Sequence, residues 1–386
     1  MSDLRVPFFD RARADTALEP ELMSAFLRVV RSGRYVLGPE VEALEGECAS
    51  FLGVRHAIGV SSGTDALLVA LMALGIGAGD EVICPAYSFV ATVEVVIRLG
   101  ATPVFADTGP TGFGVDPASV ASLLSSRTRA VIVAHLFGQC SAADAVRRAA
   151  SGIPLVEDAA QAFGATSNGW SAGTVGDAGC FSFFPTKALG GFGDGGLVVT
   201  RDDLLADRIR RLRVHGASGK NVHEAVGGNF RLDALHAALL RVKLPGLRTA
   251  IARRVAHASQ YTRLLSAARL AGAPITVPEA PLGATFSQYV LRAHGEGVRD
   301  RLRAFLANVG IPTEVYYPLP LPRQPFFASR GPGIREGRRA NVPNAETLSR
   351  EALALPIFPE LTDDEVLLVA SSIASFFRGD PYATSR

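Results

Sequence analysis

Three short segments of the 386-residue chain carry residue types that could bind a phosphorylated aldehyde. Ser61–Asp65 places small and hydroxyl side chains between a predicted strand and a predicted helix, where free backbone N–H groups favour an anion. Leu155–Gln161 ends a hydrophobic run with two carboxylates, Glu157 and Asp158. Cys180–Lys187 is an aromatic run that ends in a lysine. The segments offer a phosphate cradle, an acid and an amine.

Lys187 is the candidate nucleophile, because the phenylalanines before it would desolvate the amine and lower its pKa toward the neutral form that a Schiff base requires. A glycine run from Gly190 to Gly196 follows it and could bring backbone close to a ligand. We choose Asp158 as the acid, since a carboxylate beside a pyridine nitrogen keeps the nitrogen protonated and the ring an electron sink. The combination predicts a pyridoxal phosphate site at strand ends.

Simpler explanations exist for each segment. Ser62 or Thr64 could be an ordinary helix N-cap, both Glu157 and Asp158 could be solvated or cap the next helix, and glycine runs also occur in flexible loops. A competing function is also present, since Gly59–Gly63 fits the G-x-S-x-G nucleophile elbow of a serine hydrolase, with Ser61 as nucleophile. That hypothesis needs a histidine and an acid beside the serine, and it leaves Lys187 without a role.

The elements that must position these residues are short β-branched runs that alternate with helical patterns. The predicted strands are His56–Val60, Glu81–Cys84, Thr102–Phe105, Ala130–Ala134, Pro154–Glu157, Gly179–Phe183 and Leu197–Thr200. This alternation predicts an α/β fold in which a mainly parallel sheet lies between layers of helices.

The chain is too long for a single hydrophobic core, so two domains are expected. We predict a large domain over residues 1–246, with its N-terminal segment, and a smaller α+β domain over residues 247–386. The Pro245–Gly246 pair marks the boundary. In the smaller domain, Tyr289–Ala293 and Thr313–Tyr316 are predicted strands, and Arg323–Pro343 is a predicted irregular loop.

Composition favours small-molecule chemistry. The formal net charge is +2 with both signs interspersed, so we expect neither nucleic acid nor membrane as a partner. The four cysteines are far apart and lack metal-ligand spacing, so we expect reduced thiols, no bound metal and a cytoplasmic location. Apolar runs fall well short of the roughly 20 residues that span a bilayer.

The ordered motifs of the chain resemble those of the sugar aminotransferase family typified by DegT and StrS, among the fold-type-I pyridoxal phosphate enzymes. The resemblance runs nearly end to end. It rests on Val6–Asp10, Gly38–Val41, Ser61–Leu67, Gly79–Ile83, Glu157–Gln161, Gly179–Lys187, Gly193–Gly196, Asn229–Asp233 and Tyr316–Pro318.

The resemblance implies roles for particular residues. Lys187 would be the Schiff-base lysine and proton carrier, and Asp158 would pair with the pyridine nitrogen. The remaining cofactor contacts would be Gly63, Thr64 and Ser182 at the phosphate, Gln161 at the ring hydroxyl, Phe89 on the ring face, and Asn229 from a partner subunit. Phe184, Tyr316 and Tyr317 would contact the sugar. The expected assembly is therefore a homodimer with shared active sites.

The implied reaction moves an amino group from L-glutamate to a nucleotide-linked keto-deoxysugar, in antibiotic or cell-surface sugar biosynthesis. The segment Gly193–Gly196, with Leu189 before it, resembles members that act at carbon 3. Lysine at position 187 favours transamination, because members that dehydrate sugars carry histidine there. Three departures from the common pattern, Ala188, Val214 and Pro322, bear on the substrate and leave the cofactor residues intact.

Two alternatives within this resemblance stay open from the sequence. A relative that aminates a cyclitol ketone or forms an aminobenzoate ring would carry similar cofactor residues. A regulator that binds pyridoxal phosphate without turnover would also keep them, although the sequence shows no DNA-binding module or basic surface that would suit a regulator of DNA.

Overall fold

A seven-stranded mixed sheet forms the centre of the computed structural model, which describes residues 5–270, 272–278, 281–329 and 340–379. Its strands are β1 (His56–Val60), β2 (Glu81–Pro85), β3 (Thr102–Ala106), β4 (Thr128–Ala134), β5 (Leu155–Asp158), β8 (Ala178–Ser182) and β9 (Gly196–Thr200); the short hairpin β6 (Thr166–Ser167) and β7 (Trp170–Ser171) precedes β8. The order across the sheet is β1-β9-β8-β5-β4-β2-β3.

The direction of the strands decides where the site can form. Strand β9 runs antiparallel to both of its neighbours, β1 and β8. The remaining neighbours pair in parallel. The carboxyl ends of all strands except β9 therefore meet at one edge of the sheet, which is where ligands bind in sheets of this kind.

Helices flank this sheet and also form part of the C-terminal region. Their bounds are Arg11–Asp15, Glu19–Ser32, Pro39–Leu52, Gly63–Ala73, Ala91–Arg98, Pro117–Leu123, Ala143–Ala149, Asp203–Leu212, Ala234–Lys243, Leu247–Leu270, Val298–Asn308, Phe326–Ser329, Pro343–Glu351 and Asp363–Arg378. The expected signals mark several ends: proline opens the helices at Pro39 and Pro117, and Gly33 ends its helix in the left-handed conformation. Of the helices in the described part of the chain, none combines the length and apolar character needed to cross a membrane.

The C-terminal part contains a small antiparallel sheet of β12 (Ile275–Thr276), β13 (Tyr289–Ala293) and β14 (Ala352–Leu355), after the hairpin β10 (Ala217–Gly219) and β11 (Val222–His223). The predicted strand Thr313–Tyr316 is wrong, because only Glu314 forms a bridge, to Ala354. The chain then leaves this sheet, and the Tyr317 N–H donates to the Tyr87 hydroxyl at 2.8 Å. Aromatic residues here line a cavity and do not extend a sheet.

The segment Arg323–Pro343, predicted as an irregular loop, is partly helical. A 3₁₀ turn spans Leu321–Arg323, a short helix spans Phe326–Ser329, and Pro343 opens the next helix. Residues 330–339 lie outside the described part of the chain.

Buried apolar residues fall into separate clusters that only partly follow the predicted domain boundary. One cluster lies in the C-terminal part, around Tyr261, Tyr289 and Phe358. The cluster beside the central sheet also includes Phe327 and Leu348, which follow residue 246 in the sequence. The C-terminal part therefore contributes to the large core, and the division at residue 246 stays a prediction.

Candidate active site

One cavity of about 610 Å³ opens at the shared carboxyl edge of the strands. Its lining includes Gly63, Thr64, Phe89, Asp158, Gln161, Ser182, Phe184, Lys187, Tyr316 and Tyr317. These residues come from the ends of β1, β2, β5 and β8 and from the segment after residue 314. The structure thus brings together every site residue predicted from the sequence except Asn229.

Lys187 lies in a turn that leaves β8, and its own N–H donates to the Phe184 carbonyl at 2.9 Å. Arg11, from the N-terminal helix, holds this turn from outside. Its guanidinium donates to the Pro185 carbonyl at 2.9 Å and to the Gly191 carbonyl, on either side of the lysine. Sequence reasoning missed Arg11, because nothing local marks a residue that acts about 175 positions away.

Asp158 is buried and Lys187 is partly buried, and the loss of solvent shifts their pKa values in opposite directions. Burial lowers the pKa of the Lys187 ammonium, and the negative charge of Asp158 offsets part of that shift. Burial raises the pKa of the Asp158 carboxyl, against the hydrogen bond from Thr92 and the charge of Lys187. Desolvation thus favours a neutral amine, the form that attacks a carbonyl carbon.

Hydroxyl groups hold the Asp158 carboxylate in place. The Thr92 Oγ1 donates to Asp158 Oδ2 at 2.7 Å, and the Ala160 N–H donates to Oδ1 at 3.3 Å. Ser88 Oγ lies 2.8 Å from Thr92 Oγ1, so a short chain of hydroxyls leads to the acid. Sequence reasoning missed Ser88 and Thr92; their only signal is two hydroxyl residues four positions apart beside Phe89.

Gln161 connects the backbone at Phe137 with the side chain of Tyr317. Its Oε1 accepts from the Phe137 N–H at 2.7 Å, and its Nε2 donates to the Tyr317 hydroxyl at 3.0 Å. Burial raises the pKa of Tyr317, so this hydroxyl stays protonated at neutral pH. The Phe89 ring remains 52% exposed and tilts toward Tyr317 at a centroid distance of 6.3 Å. An aromatic face is therefore available at the mouth of the cavity.

The segment after β1 forms a tight anion cradle. Ser62 caps the helix by accepting from the Asp65 N–H at 3.0 Å, and Gly63 is the first helical residue. A Cβ on Gly63 would lie 2.8 Å from the Ser182 Cβ, so only glycine lets the two segments approach. Ser182 Oγ accepts from the Phe184 N–H at 3.2 Å, which leaves its hydrogen free to donate.

These features fit pyridoxal phosphate. The helix start with Gly63, Thr64 and Ser182 would hold the phosphate, as helix N-termini do. Asp158 and Lys187 supply a buried acid and a partly buried amine in the same cavity. Among the described residues, no group of three or more potential metal ligands occurs.

Asn229 does not line the cavity of its own chain. It forms a backbone bridge with Val214, on the segment after the helix Asp203–Leu212. The resemblance assigns it to the site of a partner subunit, and a single chain does not test that assignment.

The hydrolase alternative has an acid beside Ser61 but no histidine bonded to this serine among the described residues. The Ser61 hydroxyl donates to the Asp65 carboxylate at 2.7 Å, an acid four positions away on the following helix. No histidine of the described part of the chain makes a hydrogen bond to Ser61, although a nucleophile elbow would need one.

Comparison with known proteins identifies the family. Residues 16–374 match the model of the DegT/DnrJ/EryC1/StrS aminotransferase family. The chain belongs to this family. This membership and the similarity to known sugar transaminases confirm the expected fold class, the pyridoxal phosphate cofactor and the sugar aminotransferase activity.

Individual relatives span nearly the whole chain. A pleiotropic regulatory protein of Geobacillus stearothermophilus is 44% identical over 97% of this chain and 99% of its own length. A dTDP-3-amino-3,4,6-trideoxy-alpha-D-glucose transaminase of Streptomyces venezuelae is 42% identical, covering 96% of this chain and 95% of that protein. The crystal structure of S. venezuelae DesV in complex with a ketimine intermediate superposes with a TM-score of 0.89 at 40% identity, covering 97% of this chain and 98% of that one.

Replacing Thr92 with valine tests the hold on Asp158. The Thr92 hydrogen bond lowers the pKa of Asp158, so its loss should raise that pKa, and the carboxylate should lose its charge at a higher pH as the solution is acidified. The acidic limb of the rate of amine transfer from an amino donor should therefore move to higher pH. The rate at neutral pH should fall about tenfold, since a hydrogen bond to a charged group contributes about 1.5 kcal/mol.

Thr92→Ser is the matched control, because it keeps the hydroxyl and loses only a methyl group. It should retain the position of the acidic limb. An unshifted limb in Thr92→Val would show that this hydroxyl does not set the charge of Asp158.

Proposed function

We propose that this enzyme transfers the amino group of L-glutamate to carbon 3 of a nucleotide-linked 3-keto-deoxysugar. The observation that carries the proposal is the shared cavity of Lys187 and Asp158 beside an anion cradle. The Streptomyces relative, named for a 3-amino product on dTDP, supports the choice of a nucleotide sugar and of carbon 3. L-Glutamate is the usual amino donor implied by the resemblance.

In this proposal Lys187 and Asp158 carry the chemistry. When bound, pyridoxal phosphate supplies an aldehyde for the donor amine and a ring that accepts the electrons of the broken C–H bond. Lys187 Nζ would take the proton from the α-carbon of the donor and return it to the cofactor side, and the reverse transfer would complete amination of the ketone. Asp158 would keep its carboxylate on the pyridine nitrogen.

The remaining site residues would orient the cofactor and enclose the sugar. Gly63, Thr64 and Ser182 would bind the phosphate through backbone N–H and hydroxyl groups. Gln161 would lie near the ring hydroxyl, and Phe89 would stack on the ring face. Phe184, Tyr316 and Tyr317, which line the same cavity, would contact the sugar. The half-exposed ring of Phe184 suits a contact with a sugar face, since apolar C–H groups pack on aromatic rings.

A homodimer would complete the site. The helix Glu19–Ser32 exposes Met23, Phe26, Leu27 and Val30, an apolar surface that a second copy could cover. Asn229 would then reach the phosphate of the partner. The four cysteines are free, and Cys48, Cys84 and Cys180 are buried. Free thiols support a location in a reducing compartment such as the cytoplasm.

A second candidate is a regulator that binds the cofactor without turnover. The name of the Geobacillus relative favours it. Such a protein would bind pyridoxal phosphate on Lys187 and would never convert it with an amino donor. Cyclitol ketones and aminobenzoate precursors are the acceptor alternatives for an active enzyme. The sugar aminotransferase, the regulator and the enzyme with another acceptor would give distinct outcomes in the same assay.

Lysine mapping tests the cofactor assignment directly, because the chain has only three lysines, Lys187, Lys220 and Lys243. Protein loaded with pyridoxal phosphate should show a visible absorption band that L-glutamate bleaches. Borohydride reduction followed by peptide mass spectrometry should locate the adduct on Lys187. Lys187→Ala should lose the band and the adduct, whereas Lys243→Ala should keep both.

Three results would each change the assignment. An adduct on Lys220 or Lys243 would overturn the role of Lys187. A band that no amino donor bleaches would favour the regulator. Bleaching without amination of any 3-keto nucleotide sugar, together with turnover of a cyclitol ketone, would favour the other branch of the family.

Subunit complementation tests the shared site. Lys187→Ala and Asn229→Ala homodimers should each be impaired, because every site would contain one altered residue. After unfolding and refolding together, random pairing should make half of the dimers mixed, each with one intact site, and restore about a quarter of the wild-type activity. Mixed dimers that form without recovered activity would show that Asn229 acts within its own chain, and an Asn229→Ala homodimer with wild-type activity would show that it has no role.

A further inference from the structure

Glu157 is a fully buried carboxylate with no role in the mechanism described so far. It precedes Asp158 on β5, so its side chain points to the opposite face of the sheet. Its Oε2 accepts from His135 Nε2 at 2.7 Å and from the Gly173 N–H at 2.9 Å. Its Oε1 accepts from the N–H groups of Val175 and Gly176 at 2.7 and 2.5 Å. Four donors thus converge on one carboxylate.

The hydrogen bonds of His135 fix its tautomer. Its Nδ1 accepts from the Ser141 N–H at 2.9 Å, so Nδ1 carries no hydrogen, and Nε2 is the donor to Glu157. An imidazolium would place an N–H against the Ser141 N–H. Glu157 therefore holds a neutral imidazole in one orientation.

His135 connects this buried carboxylate to Asp158. Strand β4 pairs with β5 in parallel, with Ala134 opposite Asp158. The next residue, His135, extends the pairing by donating its N–H to the Asp158 carbonyl at 2.9 Å. His135 is also among the residues that line the cavity. Glu157 thus ties the ends of two strands and the turn at residues 173–176 into one unit directly behind the acid of the site.

We propose that Glu157 is a positioning residue for Asp158, acting through His135. This inference rests on the proposed role of Asp158. The site requires a carboxylate, because each of its four partners donates a hydrogen and a carboxylate only accepts. Glutamine would point an NH₂ group at one of these donors and leave a buried N–H without a partner. The strand ends would then shift, and with them the carboxylate of Asp158.

The test compares Glu157→Gln with the matched control Glu81→Gln. Glu81 is also a buried acid that accepts side-chain hydrogen bonds, from Ser125 and Arg127, but it lies at the opposite, amino-terminal end of β2. Both variants should lower the thermal unfolding midpoint. Only Glu157→Gln should lower kcat for L-glutamate, by about tenfold or more, with KM within about twofold of wild type.

Two further variants separate positioning from general destabilisation. His135→Gln keeps a donor near the Nε2 position and should retain most of kcat, whereas His135→Leu should lose as much as Glu157→Gln. If Glu157→Gln does not fold, the comparison of His135→Gln with His135→Leu tests the inference in its place. In the loaded protein without substrate, the visible band should shift in His135→Leu and stay in place in His135→Gln.

A double-mutant comparison shows whether Glu157 acts through Asp158. Glu157→Gln in the Asp158→Asn background should cost little further kcat, because the group being positioned is already gone. Full additivity, or equal kcat in Glu157→Gln and Glu81→Gln, would overturn the inference while the proposed function stands. An Asp158→Asn variant with wild-type kcat would instead overturn the proposed role of Asp158.

Discussion

The structure depends on placing an amine and a carboxylate together, largely out of water, at one edge of a mixed sheet. Burial lowers the pKa of Lys187 and raises that of Asp158. Lys187 is thereby favoured as a neutral nucleophile. Asp158 favours a ligand that brings a positive charge. A protonated pyridine nitrogen beside Asp158 would favour the charged carboxylate and so oppose the rise in its pKa. The bound cofactor would thus offset part of the desolvation of Asp158.

The surrounding elements fix the positions of Asp158 and Lys187 relative to each other. Parallel strands place both groups at one edge, since Asp158 ends β5 and Lys187 follows β8, the neighbouring strand. Thr92 donates a hydrogen bond to the carboxylate, and Arg11 donates to backbone carbonyls on either side of the lysine. Gly63 has no side chain, so the start of its helix can lie against Ser182, the last residue of β8. Each contact joins segments that are distant in the sequence.

The sequence predicts the central strands well, because β-branched runs mark buried strands, and the phosphate segment, Asp158 and Lys187 follow such strands. The resemblance to the family, not the pattern, indicates Phe89, Gln161, Phe184, Tyr316 and Tyr317. The pattern fails at Thr313–Tyr316, where aromatic residues line the cavity and only Glu314 forms a bridge. Thr92, His135 and Arg11 could not be assigned from the sequence, because their importance lies in contacts across tens to hundreds of positions. Asn229 remains a prediction, since its role needs a second subunit.

The most direct test of the account follows nitrogen from donor to acceptor. The loaded enzyme would be incubated with ¹⁵N-labelled L-glutamate and a dTDP-linked 3-keto-6-deoxyhexose, and the sugar nucleotide would be analysed by mass spectrometry and NMR. The account predicts label on carbon 3, one 2-oxoglutarate formed for each new amine, and neither product with Lys187→Ala. Label transfer that survives in Lys187→Ala would contradict it, as would intact glutamate and unlabelled sugar with the wild-type enzyme.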